Sequence, residues 1–453
     1  MAITRRPMLG ALALSLAGAA SAVAAPAVCP GDINGDGQTN AADFVILAGN
    51  YGAAVPVNTS GDLNGDGNVN ASDFTILAGS FGCEVVKLRV MTWNVEDVRT
   101  PQLTVTTDAK CKELAEVIQI LAPDVLLLNE IAFDQPGEVP GAPGPGLNGQ
   151  RFADNYLAVS QNGNTPILYT AVMFPSNTGI HSCTVSCKDF DNNGVVDPTP
   201  NTVTYGNDCF GFGDYPGQYA LTVLVRADLT VLTGQIRTFQ NFLWKDMPGG
   251  LIAGIVNPPF LGGGPYYSPD EIDIFRLSSK SHWDVPVVMP DGSTLHVLAS
   301  HPTPPVFDGL EDRNGKRNHD EIRFWADYID DEAYLYDDAA GVGGLPAGAQ
   351  FVILGDLNAD SDEGATYNDP IGTYYATHPL IQFITPLANL DLTANQYDND
   401  DTAFFRLRAD YVLPSFNLDV EASGIERIAG AFTPTDGPSD HWPVWVDLNF
   451  TTN

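Results

Sequence analysis

Three nearly identical strings carry acid and amide side chains at alternate positions: "GDINGDG" at Gly31–Gly37, "GDLNGDG" at Gly61–Gly67 and "GDLNAD" at Gly355–Asp360. Counting from Asp32, oxygen-bearing Asp32, Asn34, Asp36, Asn40 and Asp43 fall at loop positions 1, 3, 5, 9 and 12, with Gly37 at 6. From Asp62 the same positions hold Asp62, Asn64, Asp66, Asn70 and Asp73, with Gly67 at 6. A hard cation such as Ca²⁺ needs six or more oxygens in fixed directions, and alternate residues of a tight loop supply them while glycine permits the sharp turn. The third string fails this count, because Ser361, Gly364 and Tyr367 occupy positions 6, 9 and 12. It follows "FVIL", a short apolar run of the kind that forms a buried strand. Asp356 and Asn358 therefore emerge at a strand end, two residues apart on extended backbone and pointing the same way.

The elements behind the first two strings also repeat, "FVILAGNYG" against "FTILAGSFG". A tandem of half-hands with Asp at position 12 resembles a type I dockerin over residues 29–83. The resemblance implies a small, mainly helical calcium-loop module that anchors the chain to a cohesin-like protein. The positions beside the last ligand are Ala41-Ala42 and Ala71-Ser72 rather than the Ser/Thr pair of cellulosomal dockerins, which leaves the partner's identity open. "DFDNNGVVD" places Asp189, Asp191 and Asn193 at positions 1, 3 and 5 but Pro200 at 12. It reads either as a third calcium loop or as an Asn/Gly turn.

Strand-then-polar units recur through the rest of the chain. "LRVMTWNVED" ends in Asn94 and Glu96, "PDVLLLNEI" in Asn129-Glu130 and "STLHVLASHPTPP" in His301, while "RADYVLPS" carries Asp410 and "GPSDHWPVWVDL" carries Asp440-His441. This ordered set resembles the endonuclease/exonuclease/phosphatase superfamily, in its deoxyribonuclease-like branch, over residues 86–450. The resemblance implies an α+β fold, a four-layer α/β/β/α sandwich of two mixed sheets. "KELAEVIQIL" and "HDEIRFWADYI" have the helical spacing such outer layers need, the latter with Ile322, Trp325 and Ile329 on one face. By the same resemblance Glu130, with Glu96 and Asp440, would hold Mg²⁺ or Mn²⁺; Asn94 and Asn358 would contact phosphate; Asp356 would orient the attacking water. Asp410 would fix the tautomer of His441, a general base or transition-state donor, and His301 would face it. The branch's acidic partner for the first histidine has no counterpart in "TPILYTAVMFP". Arg276, Lys280 and His282 are further candidates for phosphate contact or a charged strand edge, and His319 is read as a cap of the helix that follows it.

The 453 residues suggest two or three folding units, and 44% hydrophobic with 17% charged residues marks a globular chain. With 56 Asp and Glu against 21 Lys and Arg, the net charge of −35 excludes binding of nucleic acid through a broad basic face. Arg5-Arg6 followed by "MLGALALSLAGAASAVAA" reads as an export signal over residues 1–25, of twin-arginine or general type, with a membrane anchor as the alternative. A secreted, extracellular, periplasmic or cell-surface location without a membrane span is expected. Six cysteines suit an oxidising compartment; Cys29–Cys83 and one bridge among Cys183, Cys187 and Cys209 are the expected pairings. The function expected is a secreted, metal-dependent phosphodiester hydrolase, foremost a nuclease. The alternatives are a phosphatase or phosphodiesterase on small or lipid phosphoesters, and an anchored component of a polysaccharide-degrading complex whose main role is binding. Glycoside hydrolysis lacks a recognisable carboxylate pair.

Overall fold

The computed structural model describes residues 28–135, 146–427 and 437–452. The export signal expected over residues 1–25 lies outside them. Twelve strands follow the N-terminal module: β1 Glu84–Val98, β2 Val125–Ile131, β3 Tyr169–Val172, β4 Leu221–Arg226, β5 Thr230–Val231, β6 Arg237–Thr238, β7 His282–Val288, β8 Thr294–Ser300, β9 Gln350–Asp356, β10 Asp410–Pro414, β11 Asp419–Ile425 and β12 Val444–Thr452. They form one six-stranded sheet in the order β11-β12-β1-β2-β4-β3, and a second in the order β10-β9-β8-β7-β5 with β6 also on β7. Each sheet has one parallel pair, β1 with β2 and β8 with β9, among antiparallel neighbours.

The strands are apolar on both faces, and each face has its own destination. Leu88, Val90, Val125, Leu127, Val297, Ala299, Val352, Leu354, Val412 and Val446 fill the space between the sheets. Alternate residues Met91, Trp93, Leu126 and Leu128 face outward against Leu114, Ala115 and Ile118. Those three lie on a helix over Ala109–Leu121. On the other side Leu298, Phe351, Ile353 and Tyr411 meet Ile322, Trp325 and Ile329 of a helix over Arg313–Ile329. Four layers result, as the family resemblance implies.

The second of these helices is longer than its apolar spacing predicts, because it starts in the polar stretch "RNGKRN". His319 is consequently mid-helix, with Asp312 in the N-cap position, and does not cap it. The polar side of its first turns is buried rather than solvated. Asn318 donates its amide to the carbonyls of Thr303 and Leu357, and Glu321 accepts from the Ser279 and Thr303 backbone N–H groups. The loops that leave β8 and β9 are thereby tied to one rigid rod.

In the N-terminal module, α1 (Ala41–Asn50) and α2 (Ala71–Gly79) each begin at a capping asparagine, Asn40 and Asn70, which accepts a backbone N–H from inside the helix. The acids at position 12 reach back into their loops: Asp43 accepts from the backbone of Ile33, Asn34 and Asn40, and Asp73 from Leu63, Asn64 and Asn70. Burial raises both carboxyls, but these N–H donors outweigh it and leave them below the usual range. A disulfide joins Cys29 to Cys83, and another joins Cys183 to Cys187, while Cys209 is a buried free thiol. β1 starts at Glu84, directly after the first bridge, and Val85 donates to Gly37 of the first loop, so no linker separates module and sandwich. Among the described residues no helix is long and apolar enough to cross a membrane.

Leu354 lies fully buried between the sheets. Leu354→Ala is expected to cost about 2–5 kcal/mol of stability, read as a lower urea midpoint; an unchanged midpoint would contradict the packing described.

Candidate active site

The inward-facing rows of the inter-sheet core turn polar at one end of the sandwich. Leu88 and Val90 lead through Thr92 to Asn94; Val125 and Leu127 to Asn129; Val297 and Ala299 to His301; Val352 and Leu354 to Asp356; and β10 begins at Asp410. The two-residue period of extended backbone delivers each polar side chain to the same face as its apolar predecessors. Because β10 and β12 run antiparallel to β9 and β1, Asp410 pairs with Asp356, and His441 arrives just before β12 at the same end.

The amide of Asn94 connects the sheets. Its Nδ2 donates to Glu130 Oε1 at 3.1 Å and to Asp356 Oδ2 at 2.9 Å, engaging both hydrogens. Glu130 Oε2 accepts from Asp97 N at 3.1 Å. Glu96, Asp97, Glu130 and Asn358 all hold positive φ, between 51° and 64°. Left-handed backbone at non-glycine residues is strained and persists where the surroundings enforce it. Here it turns Glu130 out of the strand alternation toward Asn94. Gly355, at φ 149°, has a different reason: a Cβ would stand 2.0 Å from the Ser300 carbonyl oxygen, so only glycine lets β9 approach β8 ahead of Asp356.

Two histidines flank one carboxylate oxygen. Asp356 Oδ2 is 3.4 Å from His301 Nε2 and 3.7 Å from His441 Nε2. His441 Nδ1 lies 2.7 Å from Asp410 Oδ2, which also accepts the Thr402 hydroxyl at 2.7 Å. His301 Nδ1 is buried and has no hydrogen-bond partner among the described residues, consistent with the lack of an acid in "TPILYTAVMFP". Burial disfavours the charged form of both rings. At His441 the charges of Asp410 and Asp356 and the Asp410 hydrogen bond outweigh it, and the pKa lies well above the ordinary value. At His301 burial is reinforced by Lys280 and His441, and the pKa lies well below it. The surroundings thus push the two rings flanking Asp356 in opposite directions, His441 toward the charged form and His301 toward the neutral one. Burial also pushes Glu130 up to about 7 against the pull of its Asn94 hydrogen bond, and pushes Asp356 up.

A cavity of about 1070 Å³ opens on this cluster. Glu96, Glu130, His301, Asp356, Asn358, Asp440 and His441 all line it. Asp440 Oδ1 is 4.0 Å from His441 Nε2, and Glu96 is 3.4 Å from the Lys110 ammonium. Asn358 turns its amide to the Pro302 carbonyl at 3.2 Å and its backbone N–H to Asp356 Oδ1 at 2.9 Å. Lys280 lines the cavity, but Arg276 is bonded to Asn177, and His282 is locked between Ser278 and the Glu321 carbonyl. Asp189, Asp191 and Asn193 lie in a loop outside this cluster.

Three further residues support the cluster. Asn129 accepts from Thr92 and from the Asp356 N–H and donates to the Ser300 carbonyl, a buried clamp between the sheets. Ser439 ties Asn94 O at 2.6 Å to the His441 N–H at 3.1 Å. Thr402 also donates to the Asp410 side chain that holds His441. Adjacency to the motifs marks Asn129 and Ser439, whereas nothing local marks Thr402.

His441 has its folded pKa raised above the unfolded value of about 6.5. Its pairing therefore stabilises the fold fully below that unfolded value, and the contribution is lost as pH rises through the raised folded value. Asp410→Asn is expected to cost about 3–5 kcal/mol near pH 6, with the gap to wild type narrowing in alkaline solution. A gap independent of pH in urea unfolding would contradict the pairing.

Residues 91–441 match the model of the endonuclease/exonuclease/phosphatase family, and residues 30–81 match the dockerin type I domain. Similar solved structures include an endonuclease/exonuclease/phosphatase from Beutenbergia cavernae, at 19% identity over 80% of this chain and 72% of that one, with a TM-score of 0.44. The catalytic domain of human Nocturnin aligns at 14% identity over 81% and 96%, TM-score 0.42, and a family protein from Leptotrichia buccalis at 14% over 80% and 100%, TM-score 0.41. No curated protein matches the chain. With the family model spanning most of the sequence and a dockerin type I match ahead of it, the chain belongs to the endonuclease/exonuclease/phosphatase family.

Proposed function

We propose that the chain is a secreted, metal-dependent phosphodiester hydrolase, foremost a nuclease, carried to its place of action by a calcium-loaded dockerin module that binds a cohesin-like partner. The observation that carries the reading is the single oxygen Asp356 Oδ2, bonded to Asn94 and flanked by the Nε2 atoms of His301 and His441. Phosphodiester cleavage needs a directed water, relief of charge on the phosphoryl oxygens and a proton for the leaving oxygen.

Asp356 orients the water, and Asn94 holds that carboxylate in register with Glu130. His441, kept charged by Asp410, presents its Nε2–H to a phosphoryl or leaving oxygen. His301 and Asn358 line the facing wall, and Lys280 adds a cation there. Glu130, with Glu96 and Asp440 on the same cavity, would hold Mg²⁺ or Mn²⁺; the donors are all carboxylate oxygens, and Glu130 is a half-buried acid whose lifted pKa a cation would lower, so the set fits a hard divalent ion. Such an ion supplies Lewis-acid relief of phosphoryl charge. The loops from Asp32 and Asp62, with their Asn34, Asp36, Asn40, Asp43 and Asn64, Asp66, Asn70, Asp73 counterparts, would hold Ca²⁺, and their oxygens suit it equally.

One observation fits a second substrate class as well as the first. Phe212, Phe307 and Phe405 line the cavity yet are 56%, 87% and 49% exposed, an apolar rim suited to stacking on unpaired bases or to the acyl part of a lipid phosphoester.

Wild type and His441→Ala are to be compared on plasmid DNA, RNA, bis(p-nitrophenyl) phosphate and phospholipid vesicles, with Mg²⁺ and with chelator. The substitution is expected to slow hydrolysis of the best substrate by about 10²–10⁴-fold, and chelator to abolish it. Activity that survives both treatments would overturn the mechanism, and vesicles as the best substrate would select the second class.

A further inference from the structure

The loop from Asp189 follows the Cys183–Cys187 bridge and takes no part in the phosphoryl chemistry. Its backbone repeats the N-terminal loops. Asn193 N and Gly194 N donate to Asp189 Oδ1 and Oδ2 at 3.1 and 2.8 Å, as Asp36 N and Gly37 N donate to Asp32 Oδ1 and Oδ2 at 3.2 and 2.8 Å. Gly194 has φ 81° where Gly37 has 84°. The local sequence lacks the closing acid, because Pro200 stands at position 12 and offers no side-chain oxygen.

That acid arrives from elsewhere. In the first loop Asp43, at position 12, accepts the backbone N–H of position 2, Ile33, at 2.8 Å. In the later loop the N–H of position 2, Phe190, goes to Asp208 Oδ1 at 2.7 Å. Asp208 ends a 3-10 turn over Tyr205–Asp208 and is fully buried. Independently of the loop's own geometry, its second oxygen, Oδ2, is buried with no hydrogen-bond partner among the described residues. One carboxylate oxygen each from Asp189, Asp191 and Asp208 lies within 4.8 Å of the others. Among the described residues no lysine, arginine or histidine forms an ion pair with any of the three. A buried carboxylate with an unpartnered oxygen, set beside two further acids, is costly as a charge unless a cation shares it or a proton neutralises it.

We propose that Asp189, Asp191, Asn193 and Asp208 form a discontinuous calcium site in which Asp208 replaces the missing position-12 ligand. The ion joins the 189–194 loop to the 205–208 turn. Phe190, Gly206 and Asn207 of these two segments, with Cys209 just after the turn, line the catalytic cavity, so the site braces one wall of it.

The test uses the full-length chain with the N-terminal loops disabled by Asp32→Ala and Asp62→Ala and the cavity acids by Glu130→Gln, so that neither can mask the result. After chelation and dialysis against millimolar free calcium, atomic emission is expected to find one calcium per chain, and the further change Asp208→Asn is expected to abolish it. Near-ultraviolet circular dichroism checks folding, and Asp191→Asn, at a less buried position, replaces Asp208→Asn if the latter fails to fold. No calcium on the disabled chain, or calcium that persists in the folded further variant, would overturn the proposal.

Discussion

One carboxamide holds the site together. Asn94, at the end of an inward-facing row in the first sheet, donates one hydrogen to Glu130 of its own sheet and the other to Asp356 of the second. Two acids that would repel each other are thereby kept in fixed register, and the face-to-face packing of the sheets sets the geometry of the candidate site. The bond lies where the apolar core ends and a cavity begins, so water is scarce on one side and available on the other. Low polarity there amplifies each charge, which is why the pKa values of the two histidines on either side of one oxygen are pushed in opposite directions.

The rest of the fold keeps that junction rigid. The Asn129 amide spans the sheets beside it, and the helix over Arg313–Ile329 fastens the loops after β8 and β9 through Asn318 and Glu321. Strained backbone at Glu96, Asp97, Glu130 and Asn358 is tolerated because these clamps over-determine it. The same economy recurs at the cavity wall, where Asp208 gathers a loop and a turn around a cluster of acids.

Much of this was legible in the sequence because it is local. Loop positions 1 to 12 from Asp32 and Asp62 are contiguous, and strand-end pairs such as Asp356 and Asn358 follow from an apolar run and a two-residue period. The ordered motifs brought Asn94, Glu130, His301, Asp356, Asp410 and His441 to one place without any distance being known. What the sequence withheld is non-local or conformational. Asp208 completes a loop that begins at Asp189, and no spacing rule connects them. His319 looked like a cap because the buried polar stretch before it, with Gly315 inside, does not read as helix. Arg276 and His282 sit beside Lys280 in sequence, yet packing turns them into the structure and leaves Lys280 on the cavity.

The proposed mechanism requires a hard cation against Glu130, at the junction of the two sheets. Crystals grown with Mn²⁺ and measured at the manganese absorption edge test it most directly. An anomalous peak against the Glu130 carboxylate, lost in Glu130→Gln, is the result predicted. Manganese bound elsewhere on the molecule, with the Glu130 and Asp356 junction empty, would contradict it.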